Sequence, residues 1–277
     1  NLRNVMIPNS VTSIAEDAFN SCRNLTGFLV DKYNDNYCSV DGVLFNKDQT
    51  TLIAYPPCRD ATQYTVPDSV TIISYYAFSD CRFLTEIFIP DSVTSIGSDA
   101  FSDCTSLTQI IIPDSVTSIG SGAFSFCTSL TQIIIPEGVT ILQYCTFGGC
   151  TSLASITIPK SVTIIVFEAF FSCPALATVY YTGTEAQWNA IAIAPGNDDL
   201  LNAELIASGV PLGDVNGDGI VNLGDVQLLF MYTRGKAELT EEVLSVADVN
   251  SDGDINLGDV QLLFMFTRDK ATLGNHK

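Results

Sequence analysis

The feature that most restricts the fold of this chain is a period. Proline stands at Pro67, Pro90, Pro113, Pro136 and Pro159, each 23 residues after the one before. The frame continues to Thr182, and from Pro8 to Asp31, with the proline replaced; the step from Asp31 to Pro67 is longer, at 36 residues. A unit this short cannot bury its own apolar side, so the units must stack, each leaning on its neighbours. The unit from Pro90 to Ile112 reads PDSVTSIGSDAFSDCTSLTQIII. Leu107, Ile110 and Ile112 make an LxxLxL strand with its apolar residues inward, while Val93, Ile96, Ala100 and Phe101 close the other side. Phe19, Phe78, Phe101, Phe124, Phe147 and Phe170 form one column, and Leu25, Leu84, Leu107, Leu130, Leu153 and Leu176 another. Strands repeated at a sheet spacing of about 4.8 Å predict a β-solenoid with one continuous core over residues 1–206. In the long step, GVLF at 42–45 and TLIAY at 51–55 flank a polar NKDQ, which predicts a β-hairpin protruding from the stack.

The residue two before each proline slot alternates outward onto the exposed sheet face. That column reads Met6, Leu29, Thr65, Phe88, Ile111, Ile134, Thr157, Tyr180, and Phe88, Ile111, Ile134 and Tyr180 make it a candidate binding strip for an unknown protein or glycan. The plainer reading is that β-branched and aromatic residues suit strands. Asp68, Asp91 and Asp114 recur one per coil at turns, as a solvated face; hydrolysis of a glycan would need two carboxylates converging in a cleft. Six of the nine cysteines (Cys22, Cys81, Cys104, Cys127, Cys150, Cys173) share a column, and Cys38, Cys58 and Cys145 lie off it. Parallel side chains in a ladder do not give the torsion of about 90° that a disulfide requires, so buried free thiols are expected, and without a CxxC pair zinc is not.

Composition narrows the function. Twelve basic against 31 acidic residues give a net charge of −19, with no basic cluster to hold a nucleic acid. No apolar run exceeds five residues, far below the about twenty of a membrane-spanning helix, so no direct membrane insertion is expected. The only histidine, His276, sits one residue from the C-terminus and cannot anchor a catalytic triad or a zinc helix. The pattern is already under way at Asn1, as in a mature or excised fragment.

After Gly209 a 34-residue duplication replaces the 23-residue frame. GDVNGDGIVNLGDVQLLFMYTRGK (213–236) and ADVNSDGDINLGDVQLLFMFTRDK (247–270) agree at 18 of 24 positions, and each carries DxNxDGxxNxxD. A hard cation takes six to eight oxygens, and a twelve-residue loop supplies them from positions 1, 3, 5, 7, 9 and 12. In the first loop these are Asp214, Asn216, Asp218, the carbonyl of Ile220, Asn222 and Asp225, with Gly219 at the sharp turn. In the second they are Asp248, Asn250, Asp252, the carbonyl of Asp254, Asn256 and Asp259, with Gly253 at the turn. Two calcium ions are expected. Position 12 is Asp instead of Glu, and no helix is expected before either loop, so each copy reads as loop then helix. Thr240 is expected to cap a small helix with Val243, Val246 and Ala247 facing the module's core.

Two resemblances follow. The IPxSVTxIxxxAFxxCxxLTxIxIP unit, with the ending YYTGTEAQWNAI (180–191) through NDDLLNAELI (197–206), resembles the bacterial leucine-rich repeats of the BspA type. Residues 212–270 resemble the type I dockerin, a small all-α, EF-hand-like calcium module that plugs into the cohesin domain of a scaffoldin. The chain then divides into a leucine-rich repeat domain (1–206), a linker (207–212) and a dockerin (213–277). The resemblance implies cohesin contacts at Leu223, Gly224, Phe230 and Met231, mirrored by Leu257, Gly258, Phe264 and Met265, with Arg234 and Arg268 on the rim. Leu-Gly replaces the hydroxyl pair of many dockerins, implying an apolar specificity class. The helix residues agree, because five consecutive apolar residues in VQLLFMYTR wrap a helix that can bury only one stripe. Two matching copies imply a partner bound in either of two orientations, or simply a recent duplication. The implied function is a non-catalytic, extracellular cellulosome component, or alternatively the accessory C-terminal part of a larger secreted enzyme.

Overall fold

The computed structural model describes residues 2–207, 212–216, 221–239, 241–250 and 252–273, with backbone alone for 241, 242, 245 and 268–273. The coils between Gln63 and Ile193 each contribute two strands. The LxxLxL segment gives a parallel ladder through Gln63–Thr65, Glu86–Phe88 and Gln109–Ile111, and a second run through Gln132–Ile134, Ser155–Ile158, Thr178–Tyr181 and Glu204–Ala207. Partners stand one repeat apart, as Ile87 opposite Ile110 and Ile133 opposite Ile156. The SVTxI segment adds a ladder of two-residue strands, such as Ser95–Ile96 beside Ser118–Ile119, on the opposite side of the coil. Val93, Ile96, Ala100 and Phe101 do close that side, and all are buried. Both ladders are interrupted at one level, between Gln109–Ile111 and Gln132–Ile134 and between Ser118–Ile119 and Ile141–Leu142. The turns still bond across that level, with Phe124 N donating to Thr146 O at 2.9 Å.

Inside the coil the phenylalanine column stacks ring on ring. Centroids from Phe78 through Phe101, Phe124 and Phe147 to Phe170 are 5.1, 5.3, 5.7 and 5.3 Å apart, within the range that favours aromatic pairs. Beside it the cysteine column is a hydrogen-bonded ladder. The thiols of Cys104, Cys127, Cys150 and Cys173 donate to the carbonyls of Phe78, Phe101, Phe124 and Phe147 at 3.1 to 3.2 Å. All nine cysteines are free, the six of the column as the torsion argument expects. Burial pushes the Cys127 and Cys150 thiols well up and that of Cys173 to about 12, which keeps them protonated and able to donate.

The hairpin exists but does not protrude. Val43–Asn46 pairs antiparallel with Tyr37–Val40 and with Thr51–Ala54, and the last joins the second ladder beside Ile72–Ile73. Val43, Leu44, Phe45 and Leu52 are fully buried. GVLF is apolar on both faces of its strand, so standing out in water would expose one of them.

The array is closed by two short helices, α1 (Glu185–Trp188) and α2 (Asp198–Asn202), which bury Trp188 and Leu200 in the solenoid core. A side chain here replaces the missing next coil: Asn197 Oδ1 accepts from Phe170 N at 3.0 Å, as Ala169 O does from Phe147 N, while Asp199 accepts from Cys173 N at 2.7 Å. Ala207, placed in the linker by sequence, belongs to the last strand, opposite Tyr181.

The C-terminal module holds α3 (Leu223–Thr233), α4 (Glu241–Ala247) and α5 (Leu257–Leu273). Its core joins Val215, Val221, Val226, Leu229, Ala247, Val249 and Leu263. Two expectations are corrected. A helix does precede the second loop, since α4 ends at Ala247, one residue before Asp248. Val243 and Val246 do not face the module's core; they bury themselves with Tyr180 and Leu212, against the solenoid, and Ala247 alone faces inward. That external support lets seven residues hold as a helix, which unaided would be too short. Thr240 lies outside the described residues.

The same contact corrects the outward column. Met6 is 72% exposed and Leu29 60%, but Thr157 is 4% and Tyr180 6%, because the C-terminal module covers that end of the face. Phe88, Ile111 and Ile134 are half-buried. An open strip running to Tyr180 is therefore not available.

Truncating one ring in the middle of the stack, Phe124→Ala, should lower stability by about 3–5 kcal/mol, seen as an earlier urea midpoint of the sheet signal. Thiol titration supplies a second check. Five of the nine cysteines (Cys81, Cys104, Cys127, Cys150 and Cys173) are buried, so the native chain should react with no more than the other four, and with all nine in denaturant.

Candidate functional site

The two loop-helix copies close on themselves through one device. Asn222 caps α3, its Oδ1 accepting from Gly224 N at 2.7 Å, while Asp225 Oδ2 accepts from Asn222 N at 2.8 Å. The second copy repeats it: Asn256 Oδ1 accepts from Gly258 N at 2.7 Å, and Asp259 Oδ2 from Asn256 N at 2.7 Å. The other oxygen of each aspartate reaches back to the loop's start. Asp225 Oδ1 accepts from Val215 N and Asn216 N, and Asp259 Oδ1 from Asn250 N. Both aspartates are fully buried. The capping box was present in the sequence as N-x-x-D at 222–225 and 256–259, but the cation pattern occupies the same letters.

Leu-Gly at positions 10 and 11 acquires a reason from this geometry. A Cβ on Gly224 would stand 2.9 Å from Asn222 Oδ1 and 3.5 Å from Asn216 Nδ2. On Gly258 it would stand 2.9 Å from Asn250 Nδ2 and 3.1 Å from Asn256 Oδ1. Glycine leaves room for asparagines at positions 3 and 9. Gly253, at φ +88°, makes the left-handed turn at position 6.

In the second loop the residues proposed to meet a cation bond to one another. Asp248 accepts from the backbone N–H of Asp252 and Gly253, and Asn250 Oδ1 from Asp252 N. Asn250 Nδ2 donates to Asp252 Oδ2 at 3.0 Å, and Asn256 Nδ2 to Asp252 Oδ2 and the Asp254 carbonyl. Two amide N–H groups thus occupy the space between carboxylate and carbonyl. Among the described residues no three carboxylates gather at one point. Burial, then the charges of Asp259 and Asp252, push the Asp248 carboxyl up, whereas the N–H of Asp254 holds Asp252 down. Three carboxylates, two amides that can turn oxygen inward and one carbonyl form an all-oxygen donor set that fits a hard divalent ion. In the first loop Asp214 is buried, Asn216 is exposed and Asn222 half-buried; Asp218, Gly219 and Ile220 lie outside the described residues.

Between α3 and α5 runs an apolar groove of about 520 Å³, lined by Leu223, Val226, Gln227 and Phe230 and by their counterparts 34 residues on, Leu257, Val260, Gln261 and Phe264. Leu223, Phe230, Leu257 and Phe264 are 42–52% exposed although large and apolar, and Met231 stands exposed beside them. The Arg234 guanidinium lies 5.1 Å from the centre of the Phe230 ring. Met265 is half-buried, and the side chain of Arg268 lies outside the described residues.

Residues 1–56 and 52–177 match the family model of the BspA type leucine-rich repeat region, in six copies, and residues 212–265 match that of the dockerin type I domain. Among solved structures, the chain is similar to a leucine-rich cell surface protein from Faecalibacterium prausnitzii A2-165 (38% identity, TM-score 0.66, covering 69% of this chain and 51% of that one). It is also similar to a leucine-rich repeat protein from Eubacterium ventriosum (32% identity, TM-score 0.63, covering 65% and 49%). The pneumococcal vaccine antigen PcpA, at 21% identity and TM-score 0.55, covering 75% and 56%, shares the fold. The chain spans about half the length of these proteins. No curated protein matches it.

The aspartate at position 12 should matter without metal. Asp259→Ala removes the acceptor of the partly buried N–H groups of Asn250 and Asn256 and should lower the stability of the helical module by about 1–3 kcal/mol, measured as the helical melt in EDTA.

Proposed function

Because the chain belongs to the BspA-type leucine-rich repeat family and carries a type I dockerin domain behind its repeats, we propose that it is a non-catalytic component of a cellulosome-type assembly. Its dockerin fastens it to a scaffoldin cohesin, and its solenoid displays a protein-binding or adhesive surface outside the cell. The observation that carries this reading is the twofold-repeated groove. A module of this size leaves four large apolar side chains, Leu223 and Phe230 with their counterparts Leu257 and Phe264, exposed along an open channel instead of burying them in its core. Exposed apolar clusters of that kind mark partner surfaces.

Calcium, when bound, supplies the positive charge that draws the loop oxygens together. Asp248, Asn250, Asp252, the Asp254 carbonyl, Asn256 and Asp259 would hold it in the second loop, and Asp214, Asn216, Asp218, the Ile220 carbonyl, Asn222 and Asp225 in the first. Asn222 with Asp225, and Asn256 with Asp259, tie each loop to the first turn of its helix. The state of the loops thereby sets the direction of α3 and α5 and the width of the groove. Leu223 or its counterpart Leu257, together with Phe230 and Phe264, then meets an apolar face of the partner, with Met231, Met265, Arg234 and Arg268 around them. Anchors of this type dominate binding energy when a partner covers them.

The solenoid face that remains for another ligand is its N-terminal part. Met6 and Leu29 are exposed there, while the C-terminal part lies beneath the dockerin. Among the described residues no helix is long and apolar enough to cross a membrane.

Binding of the full chain to a panel of cohesin domains should be detected with calcium and lost in EDTA, while the sheet signal of the repeats persists. Undiminished affinity in EDTA would overturn the calcium-organised mechanism.

A further inference from the structure

The two dockerin copies are nearly identical in sequence but not in surroundings. The second copy stands against the solenoid. Asn250, Gly258, Gln261, Leu262 and Met265 line a cleft of about 340 Å³ whose opposite wall is Thr108, Gln109, Thr131 and Gln132. Deeper in, Val249, Leu262 and Phe266 approach Ile110, Ile111, Ile133 and Ile134, at the level where the parallel ladder is interrupted. The buried cluster of Tyr180, Leu212, Val243 and Val246 fixes the other end of the contact. In the first copy Asn216, Gly224 and Met231 are exposed; in the second Asn250, Gly258 and Met265 are half-buried.

We propose that the solenoid breaks the twofold symmetry of the dockerin, so that a cohesin binds this chain in one orientation, led by the first copy. This rests on the cohesin reading above and adds to it a choice that the duplicated sequence does not make. A specific interface covers about 800 Å² on each partner and extends well past its central anchors. Centred on Leu223, Gly224 and Met231, such a footprint spreads over open surface. Centred on Leu257, Gly258 and Met265, it meets the rim formed by Thr108 and Thr131, both exposed. The cleft between admits water or a few side chains, not the face of another protein. The groove stays accessible from the first-copy side, so the anchors Phe230 and Phe264 serve the partner in that one pose.

The test uses the full chain in calcium. With a cohesin that binds, Leu223→Ala with Met231→Ala should weaken affinity at least about tenfold, and Leu257→Ala with Met265→Ala less than about threefold. Equal effects, or the reverse order, would overturn the proposal. Tyr180→Lys places a charge in the apolar contact and should make the two pairs equivalent. A separate arm needs no cohesin. Hydrogen peroxide should oxidise Met231 severalfold faster than Met265, read peptide by peptide by mass spectrometry, and Tyr180→Lys should bring the rates together. Equal rates in the unaltered chain, or an undiminished difference in Tyr180→Lys, count against the solenoid's role. Failure of every cohesin to bind would sink the cohesin reading, while the oxidation rates would still decide whether the solenoid makes the copies unequal.

Discussion

No coil of this protein can satisfy itself, and the rest of the structure is a consequence. A 23-residue turn offers one narrow apolar face and a set of backbone donors pointing along the stack. Both find partners only in the next coil. The same dependence explains why unlike columns run in step. Phenylalanine stacks on phenylalanine because each ring is the wall for the next, and a cysteine fits beside it because its thiol reaches the phenylalanine carbonyl one coil back. A valine of similar size would fill that space but give up the bond between coils, leaving the carbonyl only the N–H of its own turn, as Phe101 O has from Cys104 N. The column is structural chemistry in a reduced state, not a row of incipient crosslinks.

A stack of this kind has ends and faces to account for. At the C-terminal end Asn197 takes over the acceptor that a further coil would have supplied to Phe170 N, Asp199 holds Cys173 N, and Trp188 and Leu200 seal the core. The face is treated differently. Outward residues grow less exposed along the chain, from Met6 to Tyr180, because the second module lies over the later coils. Tyr180, Ile134 and Ile206 therefore belong to an internal joint. An apolar column that looks like one continuous surface in the sequence is two regions in space, one open and one spent on holding the modules together.

Legibility followed the range of the interactions. The solenoid could be read because its contacts repeat at one fixed separation, so each column names its own neighbours. The two loop-helix copies could be read because each loop lies within twelve residues, and their capping boxes lay in the same letters. The hairpin at 43–54 was placed correctly as strands and wrongly as a protrusion, since periodicity says which residues alternate and not whether a second layer covers them. The small helix α4 is expected after Thr240, but the way it faces escaped for a related reason. Seven residues carry little helical tendency of their own, and what stabilises them, the burial of Val243 and Val246 on the solenoid, is a contact between segments more than sixty residues apart.

That joint also settles what a duplicated module can do inside a larger chain. Two copies related by 34 residues form a groove with matching walls, and an isolated pair of this kind would treat its halves alike. Attachment to another domain cannot be symmetric, because the chain enters at one end only. Here the short passage from Ala207 to Leu212 brings the module down on the last coils, and the packing of Leu212 with Tyr180 fixes which flank faces the solenoid. The difference between the copies then resides in neither copy's sequence. It resides in Thr108, Gln109, Thr131 and Gln132, residues of the repeat domain, standing across a narrow cleft from one copy and absent from the other.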